Sequence, residues 1–266
     1  MKLQIVPART GVQWVKLGVQ TFWRQPMALA ALFFLAIAGM SLVSLVPLIG
    51  PALALALLPC TSLAMMVAAA EATQGRFPTP TLLLVAFRTG RQRLRAMVML
   101  GLLYAVAFLA IMGLSALIDG GTFAEVYLGG ETMTREIAED PEFQAAMWLS
   151  MALYIPLSLA FWHAPGLIHW HGIPPVKALF FSFVACLRNW GAYLVFGLAW
   201  MVFFLACGMV LALVTGILAS LIGSIAGGIM VGAAMMLAAM FFTSVVFTFR
   251  DSFSAPDGRE PELSGD

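Results

Sequence analysis

The stretch from Phe161 to Gly172 reads FWHAPGLIHWHG and holds every histidine of the chain, His163, His169 and His171, beside Trp162 and Trp170. Clustered imidazoles are ligands for zinc and other transition metals, so the stretch is weighed first as a metal centre. On a straight helix, at about 100° per residue, the three rings point at about 0°, 240° and 80° and do not converge. Pro165 and the run Gly172-Ile173-Pro174-Pro175 predict a kink and a helix end nearby, and only such a rearranged backbone would bring two of the rings together. The competing reading is an interfacial belt, with aromatic bodies against lipid and polar tips among the headgroups. The belt is preferred, and no metal or other cofactor is expected.

Other chemistry is sparse. The sequence contains no P-loop, GxSxG, HExxH or CxxC motif, so it is not expected to be an enzyme. Cys60, Cys186 and Cys207 lie in or beside apolar runs and read as buried free thiols. Two patterns remain. Arg88, Arg91 and Arg95 recur at i, i+3, i+7, which predicts one basic helix face suited to anionic lipid headgroups, with Arg93 on the opposite side. Gly216, Ser220, Ser224, Gly228 and Gly232 recur every fourth residue at the last apolar run, a small-residue stripe that lets a second helix approach closely, within the chain or in self-association.

The elements that must position these residues are membrane helices. The chain is 62% hydrophobic and only 10% charged, with a mean hydropathy of +0.96, against roughly 45–50% apolar and about 25% charged in soluble domains. Continuous apolar runs of about 20 residues, without strand-like alternation, predict an all-α polytopic transmembrane bundle. Six spans are placed at about 27–46, 51–72, 96–118, 145–168, 190–214 and 220–248, within one transmembrane domain over 1–253. Pro47, Gly50 and Pro51 make the first two a hairpin. The segment 254–266 reads as a disordered cytoplasmic tail. The N-terminal MKLQIVPARTGVQWVKLG lacks a signal-peptide pattern, so the first span is expected to direct insertion.

Thirteen of the fourteen lysines and arginines fall on one side of these spans. The positive-inside rule makes that side cytoplasmic, with both termini inside. Arg135 alone lies in the long outer loop 119–144, with seven acids, Asp119, Glu125, Glu131, Glu136, Glu139, Asp140 and Glu142, which reads as a solvated segment. No span carries an Asp, Glu, Lys or Arg near its middle, which demotes ion- or proton-coupled transport, where a buried carboxylate relay is needed.

Before the first span, Gln13, Lys16, Gln20 and Arg24 share one helix face and Trp14, Val15, Gly18 and Phe22 the other. Similar amphipathic segments precede the third and fifth spans, the last one with Lys177 and Arg188 around Phe180, Phe181 and Phe183. The chain therefore reads as three parallel units starting near residues 10, 79 and 175, each an interfacial helix followed by two spans.

Several short pieces carry a likeness: VPA with Trp14, RQP at 24–26, LVPLIG at 45–50, AP at 164–165, KALFFSF with RN at 177–189, and FRDSF at 249–253. In these the chain resembles an uncharacterised family of proteobacterial six-helix inner-membrane proteins, distantly similar to the membrane domain attached to some glycerophosphodiester phosphodiesterases. The resemblance implies a multi-pass protein of the bacterial cytoplasmic (inner) membrane and carries no catalytic residues over. His163 stands where the resemblance leads one to expect an aromatic or apolar residue.

The functional expectation is a non-enzymatic module that interacts with membrane lipids, with another membrane protein or with itself, and not with nucleic acid. The alternative is a permease or channel-like transporter for a neutral or apolar solute. That alternative requires a continuous cavity lined by residues such as Tyr104, Ser115, Tyr154, Ser158, Tyr193 or Thr215.

Overall fold

The computed structural model describes residues 2–128, 130–223 and 225–254; of the expected disordered tail 254–266, Ser254 is instead paired with Lys2 and the rest lies outside the described residues. The helices are α1 (Thr10–Arg24), α2 (Pro26–Ser44), α3 (Gly50–Thr73), α4 (Val85–Arg88), α5 (Arg91–Asp119), α6 (Thr122–Tyr127), α7 (Arg135–Glu139), α8 (Pro141–Trp162), α9 (Ala164–His171), α10 (Pro175–Arg188), α11 (Trp190–Ile222) and α12 (Ile225–Ser252). A 3-10 turn (Pro80–Leu84) leads into α4. Six stretches are long and apolar enough to cross a bilayer: α2, α3, α5, α8 with α9, α11 and α12. The expected all-α six-span architecture is the one observed. Its one departure is a two-residue antiparallel pairing of β1 (Lys2–Leu3) with β2 (Phe253–Ser254).

The boundary between the fifth and sixth spans moves. The sequence places it between 214 and 220, whereas α11 runs on to Ile222 and the turn falls at Gly223, with φ +62°. Composition is uniformly apolar through this region, so only a residue tolerant of positive φ marks the turn.

The amphipathic α1 has the two faces its spacing predicts: Gln13, Lys16, Gln20 and Arg24 are exposed, while Trp14, Val15, Gly18 and Phe22 are buried. The buried face lies on α11 and α12, the last pair of spans. The 3-10 turn and α4 lie on α2 and α3, and α10 lies on α8. Each interfacial segment therefore packs on the span pair that precedes its own, and α1 closes the series onto the last pair. Large exposed side chains such as Val202, Leu205, Leu213 and Ile217 line the outer surface of α11, where a bilayer would cover them.

Between lipid-exposed helices the hydrophobic effect gives little preference, so close approach and packing decide. Three glycines make it: an added Cβ would run into Ala192 at Gly11, into Ser244 at Gly18, and into the Ala56 carbonyl at Gly101. At the end of the bundle away from the termini the loop 119–144 is folded instead of simply solvated. The Asp119 carboxylate, largely buried, accepts from the Gly121 N–H (2.9 Å) and the Phe123 N–H (2.6 Å), and so starts α6. Phe123 then packs on Phe143 and Tyr127. The Arg135–Glu139 ion pair is exposed and stabilises little.

Candidate lipid-binding clefts and the buried histidine

The predicted arginine face is divided. Gly90, at φ +91°, ends α4 and restarts the chain as α5, so Arg88 sits on a separate short helix and the i, i+3, i+7 relation fails. Arg91 and Arg95 stay together on α5, exposed at its basic end. At spacings i, i+4, i+7 and i+11, Arg91, Arg95, Val98 and Leu102 fall within about 60° of one another around the helix. Val98 and Leu102 line a groove of about 320 Å³ between α2, α3, α4 and α5, with Leu53, Cys60 and Phe87. Arg91 and Arg95 thus share, at the basic end of α5, the helix face whose next two turns line this groove, although neither side chain lines the groove itself.

Arg93 does leave the Arg91 side of α5, but it does not point into empty solvent. With Gln92, Arg95 and Met99 it lines a second cleft of about 440 Å³, closed on the far side by Ile168, Ile173 and Pro174. That volume lies within the range of about 300–1,000 Å³ for small-ligand pockets. Helix-face spacing lends Arg93 the lesser weight because α9 and the turn after it supply the opposite wall, and no spacing within α5 foresees them.

The histidines do not form the expected belt. His163 is completely buried and His169 is 3% exposed, so neither tip reaches the headgroup layer. The His163 ring packs among Phe249, Phe253 and Tyr193, with Nε2 hydrogen-bonded to Tyr193 Oη and Nδ1 without a partner among the described residues. Among the described residues no three His, Cys, Asp or Glu side chains gather as a metal site. The predicted kink lies at His163, between α8 and α9, where Pro165 offers no N–H to the preceding turn.

In an unbroken helix the His163 N–H would reach the Leu159 carbonyl, four residues back. Instead it donates to Ser182 Oγ (2.9 Å), and the Ser182 hydroxyl donates to the Leu159 carbonyl (2.8 Å). A side chain of α10 is inserted into the hydrogen-bond ladder of α8, one of the known causes of a sharp kink. Cys186, one turn along α10, also faces that carbonyl at 3.7 Å.

Cys60 and Cys186 are buried free thiols as expected, and Cys207 is partly exposed. Burial pushes the Cys186 thiol up to about 12. In a variant with Cys186 as the only cysteine, maleimide at pH 8 is therefore expected to leave the native protein unlabelled and to label it fully once SDS unfolds it. Labelling of the native form at the unfolded rate would contradict the burial.

Several of the short pieces behind the family likeness, VPA with Trp14, RN at 188–189 and FRDSF at 249–253, meet at one place. The Val6 N–H donates to Asn189 Oδ1 (2.8 Å), Asn189 Nδ2 donates to the Gln4 carbonyl (3.0 Å), and Trp14 Nε1 donates to Asp251 Oδ2 (2.8 Å). The Trp14 ring rests on Tyr193 and Phe196, and Phe253 is buried beside His163. These motifs build a knot that closes the fold.

The small-residue stripe is also divided. Gly216 and Ser220 belong to α11, Gly228 and Gly232 to α12, and Ser224 lies outside the described residues. A Cβ at Gly216, Gly228 or Gly232 would meet nothing within 4 Å, so no helix of this chain uses them for close approach. The periodicity of four was real in sequence, but the turn at Gly223 places its two halves on antiparallel helices.

A protein of Burkholderia thailandensis described as a probable inner membrane protein is 40% identical to this chain over 266 residues, covering 99% of this chain and 98% of the relative. No protein-family profile matches. No solved structure matches.

Proposed function

Since the chain belongs to the family of this Burkholderia inner-membrane protein, we propose that it is a non-enzymatic, multi-pass inner-membrane module that binds anionic phospholipid at the basic end of α5, that end facing the cytoplasm. The observation that carries this is that Arg91 and Arg95, both exposed, share one face of α5 with Val98 and Leu102, which line the apolar groove. A headgroup phosphate at the arginines lets an acyl chain follow the groove into the span. The sequence likeness to a membrane domain that accompanies some glycerophosphodiester phosphodiesterases is in keeping with a lipid-facing role. The transporter alternative fares less well. Tyr104, Tyr154 and Ser158 do share a cleft, but Ser115 is buried against its own helix and Tyr193 is inside the knot, so among the described residues these two do not extend that cleft.

The test is native mass spectrometry of protein purified with phosphatidylglycerol in mild detergent. Each basic residue near an anionic surface contributes about 1 kcal/mol, so Arg91→Gln with Arg95→Gln is expected to lower phosphatidylglycerol retention by about tenfold or more. Arg88→Gln, on its separate helix, should lower it less. Equal retention by the double variant and the parent would reduce the arginines to orientation signals.

Orientation has its own test. With the native cysteines replaced, a cysteine at Thr132 should be labelled by an impermeant maleimide in intact cells and one at Gln92 should not. The reverse pattern would invert the topology.

A further inference from the structure

The series of interfacial helices closes around the bundle, but the spans beneath do not. Helix α8 packs on α5 and meets α12 mainly through Trp162, whose Nε1 donates to Thr248 Oγ1 at 3.0 Å and whose ring abuts Phe241. Beyond Trp162, toward the outer end, α8 and α12 separate and leave a cleft of about 230 Å³, open at the side. Tyr104, Tyr154, Ser62 and Ser158 line it against aromatic walls that include Phe161 and Phe242. Tyr104 lies midway along α5 and Ser62 midway along α3, so these hydroxyls sit at mid-span depth, where lipid tails offer no hydrogen bonds.

The hydroxyls are incompletely used. The two phenolic oxygens are 3.4 Å apart, so one donates to the other and the second proton has no acceptor among the described residues. Ser158 turns its hydroxyl back on the Ile155 carbonyl (2.8 Å), whereas Ser62 makes no hydrogen bond among the described residues. We infer that this cleft binds the ring of a lipid-soluble molecule carrying a carbonyl oxygen, such as a quinone, with its apolar tail leaving sideways into the bilayer. The carbonyl accepts from the free tyrosine proton and from Ser62, and the aromatic walls hold the ring. An ordinary phospholipid does not fit this chemistry, because its chains carry no acceptor at this depth. Size agrees: the cleft exceeds the ~150 Å³ that admits benzene but falls short of the ~300–1,000 Å³ that encloses a whole ligand.

The probe is 2-decyl-1,4-benzoquinone, added to the purified full chain in detergent, with quenching of tryptophan fluorescence as the readout. Saturable quenching is expected, with a component lost in Trp162→Phe. The half-quenching concentration should rise about tenfold in Tyr104→Phe with Tyr154→Phe, and similarly in Ser62→Leu, which also fills the cleft. Thermal melting shows whether each variant is folded, and Ser62→Ala serves if the others are not. Decylbenzene, which has the tail and ring but no oxygen, should not compete. The Arg91→Gln, Arg95→Gln protein should bind the probe like the parent, which keeps this site separate from the proposed phospholipid site. Quenching that rises without saturation and equally in all folded variants, or displacement by decylbenzene as effective as by unquenching quinone analogues, would overturn the inference.

Discussion

Replacing Gly101 with Leu is expected to lower the melting temperature by about 10 °C, while the same change at Gly113, twelve positions along the same helix, leaves it nearly unmoved. At Gly101 even a Cβ would run into the main-chain carbonyl of Ala56 on α3, which cannot swing aside as a side chain does. The α3–α5 contact is among the most extensive between spans, and separating the two helices undoes it along its length. Overpacking of this kind costs about 1–3 kcal/mol and more when backbone must move, and for a chain of this size each kcal/mol lowers the melting temperature by about 2–4 °C. Gly113 faces open space, so a leucine there meets only lipid. Thermal melting in detergent, followed by size-exclusion chromatography, distinguishes the two. Equal loss at both positions would mean that the α3–α5 approach is not set by Gly101.

The second large effect is expected at Ser182. Changing it to Ala removes one hydroxyl, strands the His163 N–H at a buried kink and leaves the Leu159 carbonyl only the weak donor Cys186. A buried group left without a partner costs about 1–3 kcal/mol, so with the weakened carbonyl a loss of about 2–4 kcal/mol is expected. Ser158→Ala is the control: that hydroxyl bonds only to the carbonyl of its own preceding turn, on a more exposed face, and should cost about 0.5 kcal/mol or less. A Ser182→Ala protein as stable as the Ser158→Ala protein would show that α8 rejoins its own ladder without help from α10.

These two residues also mark what the sequence could and could not convey. The number of spans, the hairpin at Pro47 to Pro51 and the two faces of α1 were legible, because each depends on local composition or on helical spacing alone. The Gly216–Gly232 stripe drew attention through its regularity, yet the isolated Gly11, Gly18 and Gly101 make the close contacts. A glycine's worth lies in the backbone of a distant helix, and no local pattern reports it. The same limit explains the arginines and histidines. Gly90 divides a face that the spacing of Arg88, Arg91 and Arg95 makes continuous, and His163 lies under Phe249 and Phe253, which are nearly ninety positions away. Of the candidate lipid site, Arg91 and Arg95 were readable in advance; the groove lined by Val98 and Leu102 on the same face of α5 was not, since four separate elements build it.

The knot between the two ends of the described chain sets an order of events during synthesis. Trp14 and Asp251, joined by a hydrogen bond, are 237 positions apart. At about 5–20 residues per second, α1 waits on the order of ten to fifty seconds after leaving the ribosome before its partners exist. Throughout that interval its buried face of Trp14, Val15 and Phe22 has no protein to rest on, and the membrane surface beside the insertion site is the apolar phase at hand. Docking onto α11 and α12 is then the step that completes assembly, and any chain stalled before Asn189 retains an amphipathic helix whose apolar face has no protein partner.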